Sequence, residues 1–295
     1  MFSVNLFTVY NVFLKNIYHI TILYKLEEYF MKRDAHIHSP FCPHGTTDDF
    51  EKYIKKSINL GFTDITFTEH APLPNGFTDP TPMQDSGMVI ENLYPYIEKL
   101  KELKKQYASE IRIRIGLEVD FITGYERQTR DFLNEIGPQL DDAILSVHFL
   151  KHNNTYTCID YSSEKFLEFA EAVGTVKEVY SLYYETVKES ISSDLGPYKP
   201  KRIGHPTLVH KFQLAHQQKI DDHKQIEEIL QLMALNDYSL DVNGAGLSKK
   251  DCKEPYPPLQ YVKLAEALKI PLVFGSDAHQ VTDLHQHYDK IFPLR

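Results

Sequence analysis

Two histidines stand one residue apart in Asp34-Ala-His36-Ile-His38. Alternate residues of a β-strand share a face, so their imidazoles project together and can grip one ion. Seven further side chains of ligand type follow along the chain: His44, His70, Glu118, His148, His205, Asp277 and His279. Imidazole nitrogens and carboxylate oxygens hold Zn, Mn and Fe, and nine such donors suffice for a multinuclear cluster. Ser276-Asp277-Ala-His279 repeats the i, i+2 spacing with a mixed pair. Glu118 is the candidate bridge between ions, because a carboxylate has two oxygens to share and a neutral ring offers one free lone pair. Asp120, two residues on, is a candidate for supporting a ligand or touching substrate. Asp34 shares the face of His36 and His38 and is expected to orient a liganding imidazole. Cys42 lies in the same loop as His44 and reads as a free thiol, since the other donors are nitrogen and oxygen.

The elements that must position these residues alternate. Strand-like runs are 32–38, 64–68, 111–121, 142–148, 202–205, 238–243 and 271–276. Helical patterns fall between them, at 50–61, 90–107, 127–136, 164–192, 223–236 and 259–268. Thr46 and Thr47 are candidate caps of the first, and Gly61 closes it. Alternating β and α implies a parallel sheet, and seven strand ends sharing one site imply closure into a barrel. The fold expectation is therefore α/β: a distorted (β/α)7 TIM-like barrel with its metal site at the C-terminal strand ends. Ala71–Gly87 is rich in Pro and Gly and reads as a long loop over the site, either a lid or a surface excursion. Leu247–Pro258 reads as a shorter loop. His19, His152, His210, His216, His223, His285 and His287 lack a strand-end context and are expected on the surface or on helices. Arg202 is a candidate phosphate clamp, because a guanidinium can bond two phosphate oxygens. Asn243, at a strand end without a ligand, is a candidate substrate contact.

A net charge of -9 argues against a nucleic-acid surface, which asks for clustered Lys and Arg. Three cysteines without paired spacing fit reduced thiols in a cytoplasmic protein. Residues 1–30 are aromatic and β-branched, but their uncharged stretch ends at Lys15, too short to span a membrane. They read as an extension, with 31–295 as the catalytic domain.

DAHIHS (34–39), His44, TEH (68–70), GLEVDF (116–121), SVHF (146–149), GHP (204–206) and GSDAH (275–279) stand in an order that closely resembles the PHP superfamily. The chain looks most like its stand-alone histidinol-phosphate phosphatases. The resemblance implies a distorted barrel with three divalent ions, Zn first and Mn, Fe or Co as alternatives. On these positions, one ion falls to His36, His38, Glu118 and Asp277. A second falls to Glu118, His148 and His205, and a third to His44, His70 and His279. The implied reaction is attack of an activated water on L-histidinol phosphate, releasing L-histidinol and inorganic phosphate. Glu118, Asp277 and His279 are the candidate catalytic residues. The leaving-group proton comes from Asp277, His279 or a water. Asp120 or Glu69 would suit the cationic end of that substrate. The rivals are another phosphoesterase on the same scaffold (a nuclease or a protein-tyrosine phosphatase), a non-catalytic metal-binding module and an amidohydrolase. No membrane partner is expected, and the oligomeric state is left open. A chain beginning at Met31 is expected to fold and to turn over substrate at the full-length rate; loss of either in a purified Met31-start protein refutes the extension reading.

Overall fold

The computed structural model describes residues 32–292; the extension expected at 1–30 lies outside them. The apolar runs form seven parallel strands: β1 (Arg33–Ile37), β2 (Asp64–His70), β3 (Arg112–Asp120), β4 (Asp142–Ser146), β7 (Arg202–Ile203), β8 (Ser239–Asn243) and β9 (Leu272–Gly275). They neighbour one another in chain order. The chain just past β9 closes the ring on β1: the Asp277 amide donates to the His36 carbonyl at 2.8 Å, and the His38 amide to the Ala278 carbonyl at 3.0 Å. The expected distorted barrel is what forms.

Strand alternation explains the layering. In β2 all seven residues are buried. Ile65 and Phe67 belong to the apolar cluster shared with the helices, and the alternate Thr66, Thr68 and His70 take the other face. The helices are α1 (Phe50–Asn59), α2 (Ile90–Gln106), α3 (Glu126–Ile136), α4 (Ser163–Val173), α5 (Val176–Ser192), the short α6 (Gln213–His216), α7 (His223–Leu235), α8 (Leu259–Ala267) and the short α9 (Tyr288–Ile291). In α1, Phe50, Tyr53, Ile54 and Ser57 face inward. Its N-cap is Asp49 rather than Thr46 or Thr47, and no side chain caps it. The run read as one helix over 164–192 is two. Gly174, at φ 132°, turns the chain, and Thr175 caps the new helix by accepting from the Glu178 amide.

Two features depart from the reading. An antiparallel hairpin, β5 (Phe149–His152) and β6 (Thr155–Cys158), follows β4 directly. Four-residue strands joined by Asn153-Asn154, both at positive φ, leave little periodicity to detect. Arg202 is neither a phosphate clamp nor a solvent-facing arginine. It is buried at the N-terminal end of the strands, 2.9 Å from Asp142, which also holds Arg33. Nearby, Asp64 holds Arg114 through two nitrogens. These ion pairs floor the barrel away from the ligand-bearing ends. Removing one partner of a buried pair leaves an uncompensated charge, so Asp142→Ala is expected to cost about 3–5 kcal/mol. Urea unfolding of the two proteins measures it; a change within about 1 kcal/mol contradicts this account.

Candidate metal centre

β1 aims His36 and His38 into the barrel mouth, where both are fully buried. β2 ends in His70, and β3 brings up Glu118. His148 follows β4 by two residues, His205 follows β7, and Asp277 and His279 follow β9. His44 reaches in from the loop after β1. His205 and Asp277 have positive φ values of 26° and 53°. For residues with a Cβ this is strained backbone, held only where the surroundings over-determine it. Gly204 permits another close approach, since a Cβ there would collide with the Ser146 hydroxyl. That hydroxyl donates to Glu118 Oε1 at 2.6 Å.

The side chains converge. His36 Nε2 lies 3.3 Å from Glu118 Oε2 and 3.7 Å from Asp277 Oδ1. His38 Nε2 lies 3.2 Å from Asp277 Oδ1 and 3.6 Å from Glu118 Oε2. The other Glu118 oxygen is 2.8 Å from His205 Nε2 and 3.9 Å from His148 Nε2. His44 and His279 present their Nε2 atoms to each other at 3.2 Å. Three donor groups result: His36, His38 and Asp277; Glu118, His148 and His205; and His38, His70 and His279 together with Cys42. Within each group the donor atoms lie within 4.8 Å of one another. Cys42, read as a bystander thiol, is thus within reach of the cluster.

The donors fit divalent cations on an observation independent of spacing. His36 Nε2, His38 Nε2, both nitrogens of His70 and His205 Nδ1 are buried without a hydrogen-bond partner. Such atoms are costly unless something else satisfies them. Electrostatics agree. Burial opposes charge on His36, yet Glu118, Asp241 and Asp277 push its pKa up to about 10. His148 rises to about 10 in the same way, against burial, through Asp120 and Glu118. Burial and the neighbouring His38 hold His70 and His279 well below the usual histidine range. Glu118 and Asp277 are held well below the usual carboxylate range, against burial, with His36 their foremost electrostatic partner. The pocket attracts positive charge, and protons compete with ions for it.

Carboxylates hold the far nitrogens of the rings. Asp241 takes His36 Nδ1 at 3.0 Å, Glu69 takes His38 Nδ1 at 3.2 Å, and Asp120 takes His148 Nδ1 at 2.8 Å. This fixes tautomer and ring orientation. Asp241 escaped the sequence reading. Its signal was its place two residues before Asn243, on the same face of β8. Asp34, expected in this role, instead accepts from the His36 and Ser276 amides and meets His285 Nδ1 at 2.8 Å. Glu69 is fully buried on His38 and Ser39, which leaves it no reach toward a substrate. Asn243 is also fully buried; its amide donates to Asp277 Oδ2 at 3.1 Å and so positions that residue. Asp120 keeps its place at the cavity wall.

Three of the remaining histidines are buried, His216 among them on α6 as the helix expectation allowed, and His210 and His285 off the α-helices. His210 bridges Asp222 and Glu254, His216 meets the Tyr180 hydroxyl, and His285 stacks on Phe62; all three are buried. The cavity above the donors measures about 450 Å³. The 71–87 loop lends it Thr81, Asp85 and Ser86. The Asp85 carbonyl accepts from His44 Nδ1 at 2.8 Å. Among the described residues, no helix is long and apolar enough to cross a membrane.

Residues 34–245 match the PHP domain. The chain belongs to that family. It is 45% identical to the histidinol-phosphatase of Bacillus subtilis (strain 168), over 88% of this chain and 97% of the relative. Among solved structures it resembles a candidate histidinol phosphatase, hisK, of Listeria monocytogenes: TM-score 0.84, 42% identity, 88% of this chain and 99% of that one. A Lactococcus lactis histidinol phosphate phosphatase, solved with zinc, L-histidinol and phosphate, shares the fold at TM-score 0.67 and 19% identity, over 89% and 93% of the two chains.

The carboxylates behind the rings generate an expectation. Asp241→Asn should weaken divalent-metal affinity about 10–100-fold. Competition with a chromophoric chelator measures this, and an unchanged dissociation constant removes Asp241 from the site.

Proposed function

We propose that this protein is a metal-dependent phosphomonoesterase that hydrolyses L-histidinol phosphate to L-histidinol and inorganic phosphate, as a step of histidine biosynthesis. The observation that carries this reading is the near full-length match to a histidinol-phosphatase, in a chain whose nine expected donors meet at one barrel mouth. We propose three ions, Zn first and Mn, Fe or Co as alternatives. His36, His38, Glu118 and Asp277 would hold one, Glu118, His148 and His205 a second, and His44, His70 and His279 a third. Bound divalent ions supply Lewis acidity toward phosphoryl oxygens and a water of lowered pKa.

The residues of the chain set the geometry for this chemistry. Glu118 divides its oxygens between two donor groups, and Ser146 fixes the rotamer that does so. Asn243 and the strained turn at Asp277 hold that carboxylate toward His36 and His38. Asp277 and His279 line the cavity and are the side chains we propose as donors of the leaving-group proton. The wall also carries Asp85, Asp160 and Asp283. The net charge of -9 favours a small substrate over a polynucleotide, whose backbone asks for clustered Lys and Arg. Three unpaired, buried thiols support a reducing compartment, the cytoplasm.

Phosphate release by the metal-reconstituted protein tests the assignment, with an oligonucleotide and phosphotyrosine as competing substrates. Histidinol phosphate is expected to be the preferred substrate. The double variant His36→Ala, His38→Ala is expected to lose several orders of magnitude. Degradation of the oligonucleotide with histidinol phosphate untouched would overturn the reading.

A further inference from the structure

The expected phosphate clamp, Arg202, is spent in the barrel floor, so a side-chain cation that joins the proposed ions at a phosphoryl dianion has to come from the cavity wall. Two lysines line it, Lys211 and Lys249. Lys249 is exposed. Lys211 differs. It sits on the 3₁₀ turn Leu208–Phe212, six residues after His205. Its Nζ lies 2.9 Å from Asp160 Oδ2, and both side chains are only 20% exposed. Asp160 follows the β5–β6 hairpin. Its other oxygen accepts from the Cys158 thiol at 3.2 Å, and the neighbouring Ile159 amide donates to the His148 carbonyl at 2.9 Å. The pair therefore joins the segment that carries His205 to the segment that carries His148, and those two imidazoles share one donor group.

We propose that Lys211 is a phosphate-binding residue of this cavity, held in position by Asp160; the assignment rests on the phosphomonoesterase reading above. An ammonium has three N–H donors. Asp160 takes one, and among the described residues no other hydrogen-bond partner engages the remaining two. They are free for the terminal oxygens of a phosphoryl group, which a lysine binds as a point charge. The charge is present throughout the working pH range. Burial works against it, but Asp160 raises the Lys211 pKa above the ordinary lysine value. Asp277 adds to that field. Burying an ion pair of this kind adds little stability. Its place in the cavity wall is better explained by a ligand than by the fold.

Isothermal titration of inorganic phosphate into the metal-loaded protein tests this without turnover. Lys211→Met is expected to weaken phosphate binding roughly tenfold or more. Affinity for L-histidinol should stay within about twofold of wild type and metal content should not change, while unpairing Asp160 lowers the melting temperature. The KM for the phosphate ester should rise more than kcat falls. Lys211→Arg should recover most of the binding. Lys211→Gln, which stays polar without the charge, serves if the methionine variant does not fold. Asp160→Asn should weaken phosphate by a smaller factor. Unchanged phosphate affinity in both Met and Gln variants overturns the proposal, as does a loss confined to L-histidinol or a loss of bound metal. A wild-type protein that binds phosphate through Lys211 and leaves histidinol phosphate intact sinks the substrate assignment and keeps the phosphate site.

Discussion

The structure is organised around buried ring nitrogens that no protein group satisfies. His36 and His38 are fully buried, and each leaves one ring nitrogen without a hydrogen bond. Glu118, equally buried, is pressed against them. Buried from bulk solvent, these atoms have no cheap partner. The far side of His36, His38 and His148 is closed by a carboxylate in each case. A ring pinned in this way cannot turn its free nitrogen away from its neighbours. The barrel thus concentrates basic nitrogen and acidic oxygen at one point, and a divalent ion is the species that satisfies both.

Barrel closure makes this possible. A parallel sheet joined edge to edge brings the C-terminal strand ends round a single mouth. Residues from β1 and from just beyond β9 are far apart in sequence, yet they exchange backbone hydrogen bonds at the site itself. The strain at His205 and Asp277 sits where the chain leaves β7 and β9. Regular strand geometry would carry these side chains past the cluster; the unusual φ angles fold them back into it.

Much of this was legible in the sequence. A spacing of two on a strand is a geometric statement, so the His36/His38 pair could be placed on a common face from residue order alone; Asp277 and His279 lie past the end of β9 and reach the cluster through the turn at Asp277. The alternation of β and α in turn implied the barrel. What stayed hidden depended on partners distant in sequence. Asp241 and Asp34 are both aspartates on strands; only the packed barrel decides that the first meets His36 and the second His285. Arg202 looked available because its strand leads to His205, but depth along the strand sent it to the floor. His210, His216 and His285 lacked any periodic signal, and each is buried against specific side chains, distant in sequence, that no local pattern reveals. The β5–β6 hairpin was too short to show a period at all.

The floor and the mouth are also linked. Arg202 pairs with Asp142 and approaches Asp241 Oδ1 at 3.9 Å, while the other Asp241 oxygen holds His36. An alternation of acid, base, acid and imidazole thus runs up the barrel axis to the cluster. A charge altered at the base of the barrel changes how strongly Asp241 draws on the His36 N–H, and through it how much electron density that ring can donate. Tuning of the centre is consequently open to residues with no access to the cavity, and libraries restricted to its walls would overlook them.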